Sequence, residues 1–257
     1  MPHVVVLLGQ GAHAKVVQRT AAQGPGPLLW NAATDLSVAD AGALSYFESQ
    51  ELPAETLVFR NGRCRMGRDS RFRNVESSFG GRLVKTRLDC SLEGSGAEAR
   101  LEGMYFPRRG QHMDIRSVQH HAAPRSSSRA YYKGAVKDDG RAIFQGLIEV
   151  SPGAAGTDAF LTNRNLVLND GARSDSIPGL KIGTNDVKCS HGSTTGRIDA
   201  DHLFYLRSRG LSEGEAREML VTGYFEELVG DAPESYRQTV LDAVRGRLSS
   251  VEPQGEA

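Results

Sequence analysis

The sequence has no excess of charge of either sign and no long apolar run. Lysine plus arginine number 31, as do aspartate plus glutamate, so the formal net charge is zero. A dedicated nucleic-acid binder takes its affinity from surplus cationic side chains, which disfavours that class. No apolar run approaches the ~20 residues that a membrane-spanning helix needs. We therefore expect neither nucleic acid nor a membrane as a partner.

Cysteine is also scarce, with three in the chain: Cys64, Cys90 and Cys189. Their odd number and the lack of C-x-x-C spacing argue against a disulfide framework and a self-contained zinc site. The stretch from Met1 to Val6 has no basic segment and no clear cleavage site, so a signal peptide is not expected. These features predict a protein of the reducing cytoplasm.

Common catalytic motifs are missing as well: there is no nucleophile elbow, P-loop or HExxH sequence. Gly9-Gln-Gly11 begins like a dinucleotide-binding loop, but no third glycine follows. His120 and His121 are metal ligands by type, yet neighbours on a strand point to opposite faces and do not converge on one ion. We therefore expect no catalytic residue and no tightly bound cofactor.

Glycine is abundant, with 29 residues, and the apolar runs before residue 198 are short. Bounded by Gly, Asn, Asp and Ser, these runs are typical of strands. The predicted strands include Val4–Leu8, Glu55–Phe59, Arg82–Leu88, Ala142–Val150, Asn165–Leu168 and Leu180–Ile182. Loops are predicted at Gly24–Pro27 and in the polar tail, Glu252–Ala257.

A weak repeat runs through this strand region, in which a Gly-Ala pair follows a strand after two to four residues. The pairs are Gly11-Ala12, Gly96-Ala97, Gly153-Ala154 and Gly171-Ala172, and the last two are 18 residues apart. Small residues at a fixed place after each strand suit tight corners. The repeat fits the stacked coils of a β-solenoid and fits a β-sandwich with glycine-rich turns equally well.

Six arginines fall between Arg60 and Arg73, at positions 60, 63, 65, 68, 71 and 73. An anion-binding face is one interpretation. Because the chain has no net positive charge to support it, we predict instead that these arginines occupy solvated, outward positions on two short strands.

The pattern changes to helical near residue 199. Asp199 is a predicted helix cap, and Ser212 and Glu215 form an S-x-x-E capping box for a second helix. The predicted apolar stripe of that helix is Ala216, Leu220, Tyr224 and Leu228. A third helix is predicted after Asp231 and Glu234, which repeat the box spacing around Pro233, with Tyr236, Val240, Val244 and Leu248 on one face.

The segment from Asp186 to Gly192 carries the most informative chemistry. If it is extended, Cys189 and His191 project on the same side, because alternate strand residues share a face. Thiolate and imidazole are ligand types that suit iron and iron–sulfur clusters, but two ligands do not complete a site. A buried structural cysteine beside a hydrogen-bonded histidine is the alternative, and the local sequence alone favours it.

Several motifs in register resemble the SufB/SufD family, the scaffold subunits of the SUF iron–sulfur cluster assembly system. In chain order they are Tyr132-Lys-Gly134, Phe144-Gln-Gly146, Thr157-Asp158, Thr162-Asn-Arg-Asn165-Leu166, Ser176-Ile-Pro178, Asp186-Val-Lys-Cys-Ser-His-Gly192 and Leu203-Phe-Tyr-Leu-Arg-Ser-Arg-Gly210. The last two have the form typical of the SufD branch. The resemblance covers residues 80 to 230 well and the first 80 residues more loosely.

The resemblance implies an all-β core, a right-handed parallel β-helix over residues 1–198, followed by a small helical C-terminal domain over 199–257. It implies a non-catalytic scaffold that pairs with SufB through the β-helix and docks the ATPase SufC through its C-terminal helices. His191, with Cys189 beside it, would hold iron or a nascent cluster shared transiently with SufB. The residues expected to contact SufC are Leu203, Phe204, Tyr205, Arg207, Arg209, Leu220 and Tyr224.

One departure and two alternatives stand beside this interpretation. Family members usually carry an N-terminal helical region, and this sequence starts directly in strand-like residues at Pro2. One alternative is a SufB-like scaffold that works as a homodimer, and the isolated chain could itself form a homodimer. The other is a carbohydrate-active β-helix enzyme using Asp158, Asp170 and Asp175, although aspartate is expected among turn residues.

Overall fold

The computed structural model describes residues 1–22 and 27–249, and these residues form a two-sheet parallel β-solenoid followed by helices. One sheet contains β1 (His3–Leu8), β3 (Leu29–Val38), β5 (Leu57–Met66), β7 (Leu83–Leu92), β9 (His112–His121), β11 (Arg141–Val150) and β13 (Arg173–Ile182) in that order. The other contains β2 (His13–Ala21), β4 (Ala43–Glu51), β6 (Arg71–Ser78), β8 (Glu98–Tyr105), β10 (Ser127–Val136), β12 (Thr157–Val167) and β14 (Val187–Gly196). The predicted β-helix is confirmed, and the predicted loop at Gly24–Pro27 and the tail at Glu252–Ala257 lie, apart from Pro27, outside the described residues.

Each strand pairs in parallel with the strand two positions along the chain. Leu57 pairs with Leu83, and Leu83 pairs with His112, so one coil is roughly 30 residues long. The corners between the sheets hold the Gly-Ala pairs, with Ala97 and Ala154 buried and Gly96 at a positive φ of 76°. The last two Gly-Ala pairs lie at successive corners of the solenoid, before and after β12. Their 18-residue spacing is therefore shorter than a full coil.

The strands are longer than the apolar runs suggest, because the solenoid interior accepts polar side chains. The predicted strand Leu180–Ile182 is only the end of β13, and the predicted strand Asn165–Leu168 covers only the end of β12 and the residue that follows it. Inside β12, for example, Asn163 and Asn165 are buried and hydrogen-bonded to each other and to Tyr105. Such internal partners remove the cost of burying an amide, so alternation of apolar residues underestimates strand length.

His120 and His121 take opposite faces of β9, as predicted. His121 is fully buried, and its two ring nitrogens lie 2.7 Å and 2.8 Å from the hydroxyls of Ser126 and Ser128. His120 contacts the Ser151 hydroxyl at 3.1 Å from a half-buried position. The two rings do not meet at a shared site.

We expect His121 to make the fold sensitive to acid. Burial lowers the pKa of His121 to about 4. Because this pKa is lower in the folded than in the unfolded chain, the unfolded chain takes the proton first as the pH falls below ~6.5. The free energy of unfolding should fall by about 3 kcal/mol between pH 6.5 and pH 4 from this residue. Urea unfolding at both pH values checks this: His121→Gln should flatten the dependence relative to the exposed control His13→Gln, and an unchanged slope would contradict it.

Three helices follow the solenoid among the described residues: α1 (Ala200–Ser208), α2 (Glu213–Val229) and α3 (Glu234–Ser249). The Asp199 side chain accepts hydrogen bonds from the backbone of Asp201 and His202, and the Ser212–Glu215 capping box is complete. Both predicted caps are confirmed, because each side chain satisfies backbone N–H groups that have no partner inside the helix.

The prediction that Asp231 takes part in a third capping box is wrong. Its carboxylate instead forms a bidentate pair with Arg73 at 2.7 and 2.8 Å, which joins the start of α3 to the solenoid. Arg73 also donates to the buried Glu102 at 2.8 Å. Because α3 begins at Glu234, Asp231 precedes the N-cap position by two residues and takes this bidentate guanidinium–carboxylate pair instead.

Helices α2 and α3 pack on the outer face of the sheet that contains β4, β6 and β8. They share a core cluster with outward-facing strand residues such as Phe47, Val75 and Met104. The Tyr236 hydroxyl donates to the backbone carbonyls of Glu48 and Val75 at 3.2 and 3.1 Å. The two helices are therefore part of the same packed unit as these strands.

The buried face of α2 is rotated by about one residue from the predicted apolar stripe. Its buried residues are Ala216, Val221, Phe225, Leu228 and Val229, while Leu220 and Tyr224 are half-buried. On α3, the predicted Tyr236, Val240 and Val244 are buried. The long contact with the solenoid, which the sequence of a single helix does not reveal, decides which face of α2 is covered.

The prediction that these arginines lie in solvent is confirmed at positions 63, 65, 68 and 71. It is wrong for Arg60 and Arg73. Arg60 points into the solenoid from β5 and pairs with two buried carboxylates, Glu48 at 2.6 Å and Glu76. Arg60 has even strand parity, like the buried Val58 and Cys64, and this parity places it inside. Paired carboxylates make that burial possible.

Candidate functional site

The last coil of the solenoid, formed by β13 and β14 and here called the terminal coil, leaves both sheets open at one end. Among the described residues, β13 and β14 are the last strands of their sheets, and each pairs on one side only. An edge strand presents unpaired N–H and C=O groups to any further chain. The side chains of this coil that face the solenoid interior are therefore covered by the preceding coil on one side and lie open on the other.

Cys189 and His191 lie on β14 in the terminal coil, and their shared face follows from the strand register. Cys189 pairs with Ala159 and His191 with Leu161, both of which are buried in the interior. Cys189 is half-buried against the main core, and His191 is exposed. The segment is extended, as predicted, so thiol and imidazole face the uncovered interior side together.

Two further features of the terminal coil were not predicted. Leu180 and Ile182 face inward on β13 with 40% of each residue exposed, which is high for interior positions. The Ser174 and Ser176 hydroxyls on the same strand are buried without a hydrogen-bond partner. The alternation of side chains along β13 places all four residues on the inward face. Their incomplete cover follows only from β13 being the last strand of its sheet.

The chemical environment separates the two candidate ligands. Burial raises the pKa of the Cys189 thiol, and the nearby Asp158 carboxylate adds to the rise. A thiol must lose its proton to bind a metal, so this environment weakens Cys189 as a ligand. His191 lies in open solvent, where the imidazole is accessible. No group of three or more His, Cys, Asp or Glu side chains that could hold a metal ion occurs in the described residues.

Helix α1 and its C-cap residue carry five of the predicted contact residues, here called the α1 surface: Leu203, Phe204, Tyr205, Arg207 and Arg209, all exposed except the half-buried Leu203. None of the residues of α1 is buried, and Phe204 and Tyr205 are 74% and 55% exposed. The Arg209 guanidinium lies 5.2 Å from the centre of the Tyr205 ring. Large exposed aromatic side chains on one short helix indicate an interaction surface.

The other two predicted contact residues, Leu220 and Tyr224, lie on α2 rather than on the α1 surface. Tyr224 faces the solenoid, where its hydroxyl donates to the Arg164 carbonyl at 2.6 Å and its ring lies 4.4 Å from the Lys133 ammonium. Leu220 is half-buried on α2. The geometry therefore brings together five of the seven residues.

A family model for the SufBD core domain of SUF system iron–sulfur cluster assembly matches residues 1–224. The chain belongs to the SufB/SufD family. It is 38% identical over 201 residues to a SufBD family protein of Mycobacterium leprae, covering 75% of this chain and 51% of the relative. It is 37% identical over 171 residues to Escherichia coli SufD, covering 66% of this chain and 40% of SufD.

A SufBD family protein of Mycobacterium tuberculosis is 37% identical over 224 residues, with 84% of this chain and 56% of the relative covered. The SufB/SufD chain thus spans about half the length of the curated relatives it matches. The SufD-like character of its motifs agrees with the likeness to SufD. None of the helices in the described part of the chain is long and apolar enough to cross a membrane.

The alternative of a carbohydrate-active enzyme receives no support from the carboxylates offered for it. Asp158 pairs with Arg129 at 3.0 Å, and Asp170 pairs with Arg197. These ion pairs occupy two of the three carboxylates offered for such a reaction.

Proposed function

We propose that this chain is a SufD-like scaffold subunit for iron–sulfur cluster assembly, pairing with SufB and docking the ATPase SufC. The observation that carries the proposal is the position of His191 and Cys189, the pair in the family-like motif, at the open end of the solenoid. A scaffold needs its ligands where a second chain can complete the site. The chain performs no catalysis of its own in this proposal, and the ATPase activity resides in SufC.

SufB is proposed to meet the terminal coil. The unpaired edges of β13 and β14 can accept strands of another chain, and the exposed parts of Leu180 and Ile182 supply apolar surface for such an interface. Iron or a nascent cluster would then be held between the two chains, with His191 from this chain as a ligand. Remaining ligands would come from SufB and from sulfide.

SufC is proposed to dock on the α1 surface. Because α2 and α3 are packed against the solenoid, force applied at α1 reaches the strands through α2, which contacts both. Nucleotide-driven motion of SufC could act on the terminal coil by this route, since α1 follows β14 directly in the chain.

We expect Phe204→Glu to weaken SufC binding by at least ~10-fold, since a buried aromatic anchor is typically worth 2 kcal/mol or more at an interface. No residue of α1 is buried, so the fold should be unaffected. Isothermal titration with SufC measures the affinity. Leu7→Glu, an exposed apolar position on β1 at the opposite end of the solenoid, is the matched control. Equal affinity of both variants would place the SufC site elsewhere.

A further inference from the structure

Two cysteines that the proposed function does not use lie side by side in the solenoid core. Cys64 on β5 pairs in register with Cys90 on β7, and both side chains point inward. They are 1% and 0% exposed. Paired strands are about 4.8 Å apart, which places the two sulfur atoms in the same small region.

A third sulfur atom and an amide complete this cluster. The Cys90 thiol donates to the Met66 thioether at 3.6 Å. Gln119, on the next strand, is in register with Cys90, and it is fully buried with neither its amide nitrogen nor its amide oxygen hydrogen-bonded. A buried amide without partners is costly and points to a missing group beside it.

The donor set identifies the class of ligand. Two thiols and a thioether are soft donors, which select monovalent copper over the harder ions that prefer carboxylate or water. The two thiols lie in register on adjacent paired strands and point to the same side, so both can face one ion. Most neighbours of the thiols are apolar, since Leu36 is in register with Cys64, and Leu88 and Leu92 flank Cys90 on the same face of β7.

We propose that Cys64, Cys90 and Met66 form a buried binding site for a cuprous ion. The two sulfur atoms of the cysteines each form a bond to the ion, and both thiol protons leave to solvent. The Met66 thioether is a third, neutral ligand. The Gln119 amide N–H donates to a copper-bound thiolate, which satisfies a group that has no partner in the metal-free protein. No oxidation step is involved.

This site is independent of the proposed role in cluster assembly, because none of its residues lies in the terminal coil or on the α1 surface. Entry of the ion requires local opening of the strands, which native proteins undergo spontaneously. Without the ion both cysteines are neutral thiols, which are compatible with an apolar core.

The test uses the full chain carrying Cys189→Ser, so that the half-exposed thiol contributes no binding. The protein is incubated anaerobically with a cuprous acetonitrile complex, treated with the chelator bicinchoninate, desalted and analysed for copper by mass spectrometry. One retained ion per chain and a rise in Tm of several degrees are expected, since a ligand that binds the folded state stabilises it. Absence of retained copper would overturn the proposal.

Variants in the same background assign the ligands. Cys64→Ala and Cys90→Ala should each abolish retention, and Gln119→Leu should weaken affinity by about tenfold, as expected for a group that supports a ligand. Copper retained equally by the Cys64→Ala and Cys90→Ala proteins would overturn the assignment. X-ray absorption at the copper edge of the background protein needs no core variant to fold: sulfur-only coordination supports the site, and nitrogen or oxygen neighbours refute it.

Discussion

Replacing Arg60 by alanine is expected to lower the free energy of unfolding by about 3 to 5 kcal/mol, the typical loss when one partner of a buried ion pair is removed. Arg60, Glu48 and Glu76 have side chains only 7%, 7% and 5% exposed, so the two carboxylates would be left facing each other inside the solenoid. Burial already raises the pKa of Glu76, with Arg60 acting against that rise. Without the guanidinium, at least one carboxylate must take up a proton or the coils must separate.

Urea unfolding at pH 7 measures this effect. Arg63→Ala is the matched control, because it lies on the same strand with its side chain on the exposed face, and it should change stability little. Adding Glu48→Gln and Glu76→Gln to Arg60→Ala should recover part of the loss by removing the unpaired charges. A loss below about 1 kcal/mol for Arg60→Ala would show that the ion cluster is unimportant to the fold.

Replacing His191 by alanine is expected to reduce cluster formation on the assembled complex by at least ~10-fold while leaving the fold and the complex intact, as is common for loss of a metal-supporting group. The side chain is exposed, so little packing is lost. An interface of ordinary size does not depend on a single rim histidine. Anaerobic reconstitution with SufB and SufC, followed by visible absorbance and iron counting, gives the measurement.

Two neighbouring substitutions make this test specific. Ser190→Ala changes a residue of the opposite parity on β14 and should build clusters at the wild-type rate. Cys189→Ala should have a smaller effect than His191→Ala, because its environment disfavours the thiolate. Normal clusters in His191→Ala with a loss in Cys189→Ala would reverse the two roles. No loss in either would make this chain a passive structural partner.

The solenoid could be predicted only in part from the residues themselves. Glycine-alanine corners indicated repeated turns, but the same corners suit a sandwich, and the motifs shared with the SufB/SufD family decided between them. Strand lengths were underestimated because Asn163 and Asn165 satisfy each other inside the core. Arg60 is predicted in solvent because the run of arginines does not reveal its buried carboxylate partners, Glu48 on β4 and Glu76 on β6, which only the stacking of the coils brings to it.

The helices show the same division between local and long-range information. Caps at Asp199 and Ser212 depend on residues within one turn, and both were predicted. The partner of Asp231 is Arg73, 158 residues away, and no local pattern reveals it. The α1 surface is exposed because residues of α2 and α3, and none of α1, form the core cluster with the strands, which no local pattern reveals.

The candidate site was found through the motif around Cys189 and His191 rather than through geometry. Strand parity correctly placed the two side chains on one face. That the face is open depends on β14 being the last strand of its sheet, which is a property of the whole coil stack. Leu180, on the neighbouring strand of the same coil, was recognised only as part of an apolar run.

Photo-crosslinking from the two ends of the solenoid tests the central claim most directly, namely that the terminal coil is where SufB binds. A photoreactive amino acid is placed at Ser193 on β14 or at Val5 on β1, which lie at opposite ends of the strand order. Each protein is mixed with SufB and SufC, and the mass of the complex is measured by light scattering before irradiation. We predict a one-to-one pair with SufB that crosslinks from position 193 and not from position 5. Crosslinks to SufB from position 5 alone, or a chain that only self-associates when SufB is present, would contradict the account.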